Sequence, residues 1–324
     1  MTDRYGTFEH ADHAVPRREH GYCVDDVARL LVVATREPQP SDEVRELARD
    51  ALQFVADAQG VTGDCRNRRA ANGRWRGWHT VEDCWGRSLW GLGTAAAESD
   101  GVLADEALTH FDRGVAQRSP HSRAMAFAAL GAATVVSLRP RHEGALALLR
   151  DAADALGDPG PAIGWPWPEP RLTYANAVVP DAMMAAGEAL GRPALVEHGL
   201  GLLGWLLERE TIDGHLSVTP VGGAGPDDSG PRFDQQPIEV ATLAEACARA
   251  AKLTGSSRWG YGVRMAAAWF DGDNDSATVM WDPVTGGGYD GLEAHGPNRN
   301  QGAESTLALM STRQQARLLA PVAA

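Results

Sequence analysis

The chain has 324 residues, of which 44% are hydrophobic and 23% charged, and its net charge is −13. Such a chain can bury a substantial core as an ordinary globular protein. Its acidic balance argues against nucleic acid or an anionic membrane as partner, because both call for a basic face.

The polar segment 1–21 has room for one short strand at 6–11. Met1–Arg18 lacks the apolar centre of a signal peptide, and no apolar run nears the roughly 18 residues of a membrane span. A cytoplasmic chain is expected. Val27, Leu30, Leu31 and Ala34 put a first helix over 24–35. Ser41 opens a second over 41–59, amphipathic through Val44, Leu47, Leu52, Phe54 and Val55. Segment 60–79, rich in Gly, Arg, Asn and Trp, reads as a loop or short hairpin. A third helix is expected over 82–97, with Thr80 and Asp83 resembling a capping box, and a fourth over 103–117. A fifth starts at Ser119-Pro120 and runs to Leu138, and a sixth covers 143–156.

Segment 158–172 is a second punctuated stretch, Trp165-Pro-Trp167-Pro-Glu169 at its centre. Thr173 is expected to cap a seventh helix over 174–190, followed by an eighth over 193–208. A Gly/Pro loop over 214–233 carries a candidate strand at 215–219. Pro237 fits only a first helical turn, so the ninth helix begins near Asp234–Gln236, with Asp234 in the capping position. A tenth helix over 256–270, an irregular stretch over 271–299 and an eleventh helix over 301–317 complete the chain.

Strand runs are too short for a sheet-based core, so the class is all-α. Long polar loops precede the odd helices and short turns precede the even ones, a series of helical hairpins. The odd helices are also rich in small residues, as in Arg123-Ala-Met-Ala-Phe-Ala-Ala-Leu-Gly, which suits packing on all sides. The expected architecture is an (α/α)6 toroid in a single domain over 1–324, odd helices inside and even helices outside.

Each odd helix begins with a polar cluster: Asp25 and Asp26; Glu82, Asp83 and Arg87; His121 and Arg123; Tyr174 and Asn176; Asp234, Gln235, Gln236 and Glu239; Asn300, Gln301 and Glu304. Parallel inner helices would bring these starts to one funnel mouth. Acids in a first turn are also favoured by the macrodipole and by capping. Adjacent Asp25 and Asp26 point about 100° apart, so at least one should face inward. Glu239 and Glu304 lie deeper in their helices, where a carboxylate needs a partner or a role. Arg87 and Arg123 could be those partners. Tyr289 and Asp290 are placed at the rim by the Gly286–Gly288 turn.

Asp271, Asp273, Asp275 and Asp282 imitate a calcium loop, but Ser276 stands where the motif needs Gly and Asp282 where it needs Glu. The four cysteines, Cys23, Cys65, Cys84 and Cys247, form no CxxC pair. Each is expected to be a small buried or semi-buried residue, and neither metal nor cofactor is expected. Ten tryptophans against six phenylalanines and five tyrosines supply either sugar-stacking faces or helix packing.

The motifs Gly21-Tyr-Cys-Val-Asp-Asp26, Glu82-Asp-Cys-Trp-Gly-Arg87, Ser122-Arg-Ala, Trp165-Pro-Trp-Pro-Glu, Leu172-Thr-Tyr-Ala-Asn-Ala, Phe233-Asp-Gln-Gln-Pro-Ile-Glu239, Thr285-Gly-Gly-Gly-Tyr-Asp-Gly-Leu292 and Asn300-Gln-Gly-Ala-Glu-Ser-Thr306 resemble the bacterial six-hairpin glycosidase-like proteins. The resemblance runs from about Phe8 to Leu309, while Val27, Trp85 and Ala175 depart from the pattern. It implies the (α/α)6 fold, carbohydrate metabolism, and a glycosyltransferase or β-mannoside phosphorylase as partner.

The expectation is a glycoside hydrolase acting on an oligosaccharide, with a mannoside as one such substrate. Asp25 or Asp26 with Asp234 or Glu304 would form the acid and base. Gln235, Gln236, Asn300, Gln301, Arg87 and Arg123 would hold hydroxyls, with Glu82, Asp83, His121, Asn176, Glu239 and Asp290 beside them. Trp165, Trp167, Tyr174 and Tyr289 would stack on rings. One alternative is a sugar epimerase or isomerase using His79, His121, His215 or His295; another is a non-catalytic glycan-binding module.

Overall fold

The computed structural model describes residues 1–156 and 164–319. The start of the punctuated stretch over 158–172 therefore lies outside the described residues. Eleven helices are present among the described residues: α1 Val24–Thr35, α2 Asp42–Ala58, α3 Asp83–Glu98, α4 Gly101–Gly114, α5 Ser122–Leu138, α6 Glu143–Ala155, α7 Val178–Leu190, α8 Pro193–Arg209, α9 Pro237–Thr254, α10 Ser257–Phe270 and α11 Ala303–Leu319. The described strands are two or three residues long and form small antiparallel pieces.

Several boundaries differ from expectation, and at the starts of three helices the local reason is visible. Helix α7 starts at Val178 rather than 174, because Ala175 adopts a left-handed φ of 45° and the amides of Ala175 and Asn176 donate to Glu239. No capping box forms at α3: its N-cap is Glu82, and the Thr80 hydroxyl donates to Glu82 Oε2 at 3.4 Å. The N-cap of α9 is Gln236, not Asp234, whose backbone carbonyl instead accepts from Val221 N at 2.9 Å.

The chain divides into two compact units, Met1–Ala11 with Val15–Leu156 and Ala185–Val196, and Asp12–Ala14 with Gly157–Met184 and Glu197–Ala324. In the first, α3 is buried without a break from Cys84 to Ala95 and α5 from Arg123 to Ala132. By contrast α4 buries only Ala107, Phe111 and Gly114, and α6 only Ala145, Leu148, Leu149 and Ala152. Small residues are required where α3 and α5 meet. A Cβ on Gly86 would collide with the Ala124 carbonyl, and one on Gly131 with that of Leu89. Helix α6 starts on an imidazole: His142 Nδ1 accepts from Ala145 N at 3.1 Å while Nε2 lies 2.7 Å from Asp112 Oδ1 of α4. A three-stranded piece, Tyr22–Cys23 with Arg68–Arg69 and then Trp75–Arg76, delivers the chain into α1.

In the second unit α9 is buried from Pro237 to Ala244, opens on Pro237 and closes on Gly255 with a left-handed φ of 67°. Residues 178–184 of α7 are buried throughout. Trp205 of α8 packs against Trp165 and Trp167, with ring centroids 5.1 and 6.1 Å away. Six of the ten tryptophans, Trp85, Trp90, Trp165, Trp167, Trp259 and Trp269, are buried, so most of the indole excess is architecture. All four cysteines are buried free thiols. The would-be calcium loop has no common centre, because its acids turn to separate partners. Asp271 accepts from Trp281 and Arg313, Asp275 faces His215, and Asp282 accepts from Val284 N and Gln301.

Candidate functional site

In the first unit the chemistry collects where the strand Tyr22–Cys23 becomes α1. Cys23 caps the helix with extended backbone and no side-chain capping bond, so the first-turn acids Asp25 and Asp26 sit beside its free amides. They diverge, as their 100° spacing requires. Asp26 turns inward to Arg29 at 3.3 Å, with side chains 5% and 2% exposed. Asp25 stays more open: its Oδ2 accepts from Asn67 Nδ2 at 2.9 Å and its Oδ1 lies 3.8 Å from Arg87 Nε. Arg87 is buried with its guanidinium 4.2 Å from the Phe127 ring centroid, a cation held on an aromatic face. Arg123 is buried too, Glu82 and His121 are exposed, and Asp83 is half-buried in the first turn of α3.

Glu9, Cys23 and Asp26 bring ligand atoms within 4.8 Å of one another. Arg68 pairs with Glu9 and Arg29 with Asp26, so both carboxylates already face a guanidinium. Burial and the Asp25 and Asp26 charges hold the Cys23 thiol well above its ordinary pKa, against the thiolate a metal would need. The donor set does not fit a cation. Close by, a cleft of about 580 Å³ is lined by Glu9, Glu19, Asn67, Arg68, Arg76, Trp78 and Glu82 among others.

In the second unit the centre is Asp234. Its Oδ1 is buried with no hydrogen-bond partner among the described residues. Burial, then the charges of Glu293 and Asp290, push its pKa up to about 6. Gly291 makes room for it, since a Cβ there would collide with Asp234 Oδ1. Asp290 Oδ1 accepts from Gly302 N at 2.7 Å, just ahead of α11. Asn300 Oδ1 accepts from His13 N at 3.0 Å. Gln236 and Tyr289 are half-buried, as is Glu304 in the first turn of α11. Tyr174 is 43% exposed and could meet a ring.

Six expected site residues have other occupations. Gln235 is fully buried: its Nε2 donates to Asp275 and to the Arg232 carbonyl, and its Oε1 accepts from Trp269 at 3.4 Å. Glu239 and Asn176 bond each other, Glu239 also accepting the two amides that shape the Ala175 turn. Gln301 spans Asp282 and Thr285. Trp165 and Trp167 are 6% and 1% exposed, each with its indole N–H on Glu169, so neither offers a free face for stacking.

Two residues outside the expected set stand out. Glu210, the residue after α8, is 3% exposed beside a cavity of about 450 Å³. Its Oε1 accepts from both the amide and hydroxyl of Thr219, and burial pushes its pKa up to about 7. An acid after a helix's last turn, where the macrodipole disfavours it, is a signal the sequence does contain. Trp78 is the other: an indole in a polar loop, 88% exposed.

No protein-family model matches the chain, and no curated protein matches it. Solved structures do. A sugar epimerase from a ruminal bacterium superposes with a TM-score of 0.71 at 11% identity, covering 98% of this chain and 92% of that one. A D-mannose isomerase gives 0.69 at 11% identity over 98% and 93%. An alpha-amylase from Clostridium perfringens gives 0.62 at 11% over 97% and 93%. Likeness at such identities carries the fold, which is the all-α (α/α)6 toroid expected from the helix pattern.

Proposed function

We propose that the chain is a carbohydrate-active enzyme, a glycoside hydrolase acting on an oligosaccharide, with mannosides as the first substrates to test. The observation that carries the reading is Asp234, whose buried Oδ1 has no hydrogen-bond partner among the described residues and whose pKa is pushed up to about 6 by burial and then by Glu293 and Asp290. Asp234 is the general acid: it gives its proton to the glycosidic oxygen as that bond breaks. Water adds to the anomeric carbon and passes its proton to a second carboxylate, for which Asp290 is the candidate in the same unit. Asp25, Asp26 and Glu304 are further carboxylates to be tested one by one. The motif resemblance supports a glycosyltransferase or glycoside phosphorylase as partner, which co-purification would check.

The deciding experiment is a glycan screen that reads released reducing sugar for the native chain and for Asp234→Asn. Undiminished turnover by the variant removes Asp234 from the mechanism. A second reading, epimerisation or isomerisation, draws on the likeness to a sugar epimerase and a D-mannose isomerase. It also draws on His215, whose Nε2 lies 2.9 Å from the buried Asp275 carboxylate. Here a single sugar would change configuration with no new reducing end, and proton NMR of the products separates the two outcomes.

A further inference from the structure

Trp78 is 88% exposed in a chain that buries six of its ten indoles. Among the described residues it makes no ring contact and no hydrogen bond, so both of its faces are open. The loop that carries it is nonetheless held on either side. Trp75–Arg76 pairs with Arg68–Arg69 ahead of it, and beyond it Thr80 and Cys65 exchange backbone bonds of 3.0 and 2.8 Å. A large apolar ring held in water costs solvation free energy that a ligand laid on its face would recover.

The ring borders the 580 Å³ cleft of the first unit, and the cleft's charges say what that occupant is. Glu9, Glu19 and Glu82 set three carboxylates against the three guanidiniums of Arg68, Arg69 and Arg76, with the imidazoles of His10 and His20 beside them. That balance gives no reason to prefer an anion or a cation. It does give many donors and acceptors around one apolar plane, which is the complement of a pyranose ring: hydroxyls on its rim, C–H groups on its face. Asn67, which also lines the cleft, donates to Asp25 and so joins the cleft wall to the α1 acids.

We infer that this cleft is a glycan subsite in which Trp78 is the stacking platform for an uncharged sugar ring. The inference rests on reading the chain as carbohydrate-active, but its test does not depend on catalysis. The full chain is titrated with cellobiose, mannobiose and mannotriose, with digalacturonate as the charged control, by calorimetry and intrinsic fluorescence. Trp78→Ala is expected to weaken binding about tenfold or more, and Trp78→Phe to keep part of it. Because the side chain is exposed, both variants should melt with the native protein.

Where turnover is measurable, KM rises in Trp78→Ala while kcat holds. Binding that depends on Trp78 without any turnover by the native chain leaves this inference standing and defeats the enzyme reading. Turnover with an unchanged KM in Trp78→Ala does the reverse. The inference is overturned if no neutral sugar of the panel binds, if Trp78→Ala binds them equally well, or if digalacturonate binds more tightly.

Discussion

Glu210 gives the most direct test of the second unit's electrostatics. Its carboxyl is 3% exposed; burial raises its pKa from 4.5 to about 7, opposed by the two Thr219 hydrogen bonds and the nearby Arg209. That difference corresponds to about 3 kcal/mol for holding the ionised form inside. The folded chain keeps this proton up to about pH 7, whereas the unfolded chain gives it up near 4.5. Between those values the folded state binds more protons, so the contribution of Glu210 to stability falls as pH rises through the window and then levels off. Glu210→Gln leaves an oxygen to accept from the Thr219 amide and hydroxyl but cannot ionise. Urea melts of the two proteins should nearly coincide at pH 4.5 and separate by about 3 kcal/mol at pH 8, the variant being the more stable. The carboxyl carbon of Glu210, followed by NMR, should titrate near 7. A gap between the melts that is the same at both pH values would refute the reasoning, as would titration near 4.5.

The remaining predictions concern the proposed acid and its surroundings. If Asp234 donates a proton in the rate-determining step, kcat/KM falls as pH rises through about 6. In Asp234→Asn that limb disappears and activity drops by about 10²–10⁴-fold; a limb surviving in the variant belongs to another group. Gly291→Ala places a Cβ against Asp234 Oδ1, so the carboxyl must shift. Activity should fall and the position of the limb should move while the melting temperature changes by only a few degrees, and a full-rate variant would show that Asp234's position is immaterial.

Much of the fold was legible because burial leaves a compositional mark. A helix enclosed on every side, like α5, must be small and apolar all round, and one exposed on a face, like α2, must alternate with polar residues. The acidic helix starts were legible for the same kind of reason, since local amides favour them. What was hidden depends on partners far along the chain. Asp234 owes its raised pKa first to burial and then to Glu293 and Asp290, and nothing near Gln235 in sequence reveals that its amide is used up on Asp275 and Trp269. Trp165 and Trp167 were misread because a pattern of indoles and prolines cannot show that Trp205, on another helix, covers them. Trp78 sat in a stretch whose composition spoke only of a loop, and only its exposure singles it out.

The four buried thiols equip the chain with its own opening clock. Burial keeps Cys23 and Cys65 well above the usual thiol range and pushes Cys247 up to about 12, so these three offer almost no thiolate to attack a disulfide reagent. Labelling must wait for a local opening, and its rate then counts openings. Cys23, Cys65 and Cys84 belong to the first compact unit and Cys247 to the second. Mass spectrometry of labelled peptides would therefore time the two units separately, in one tube and without a single substitution.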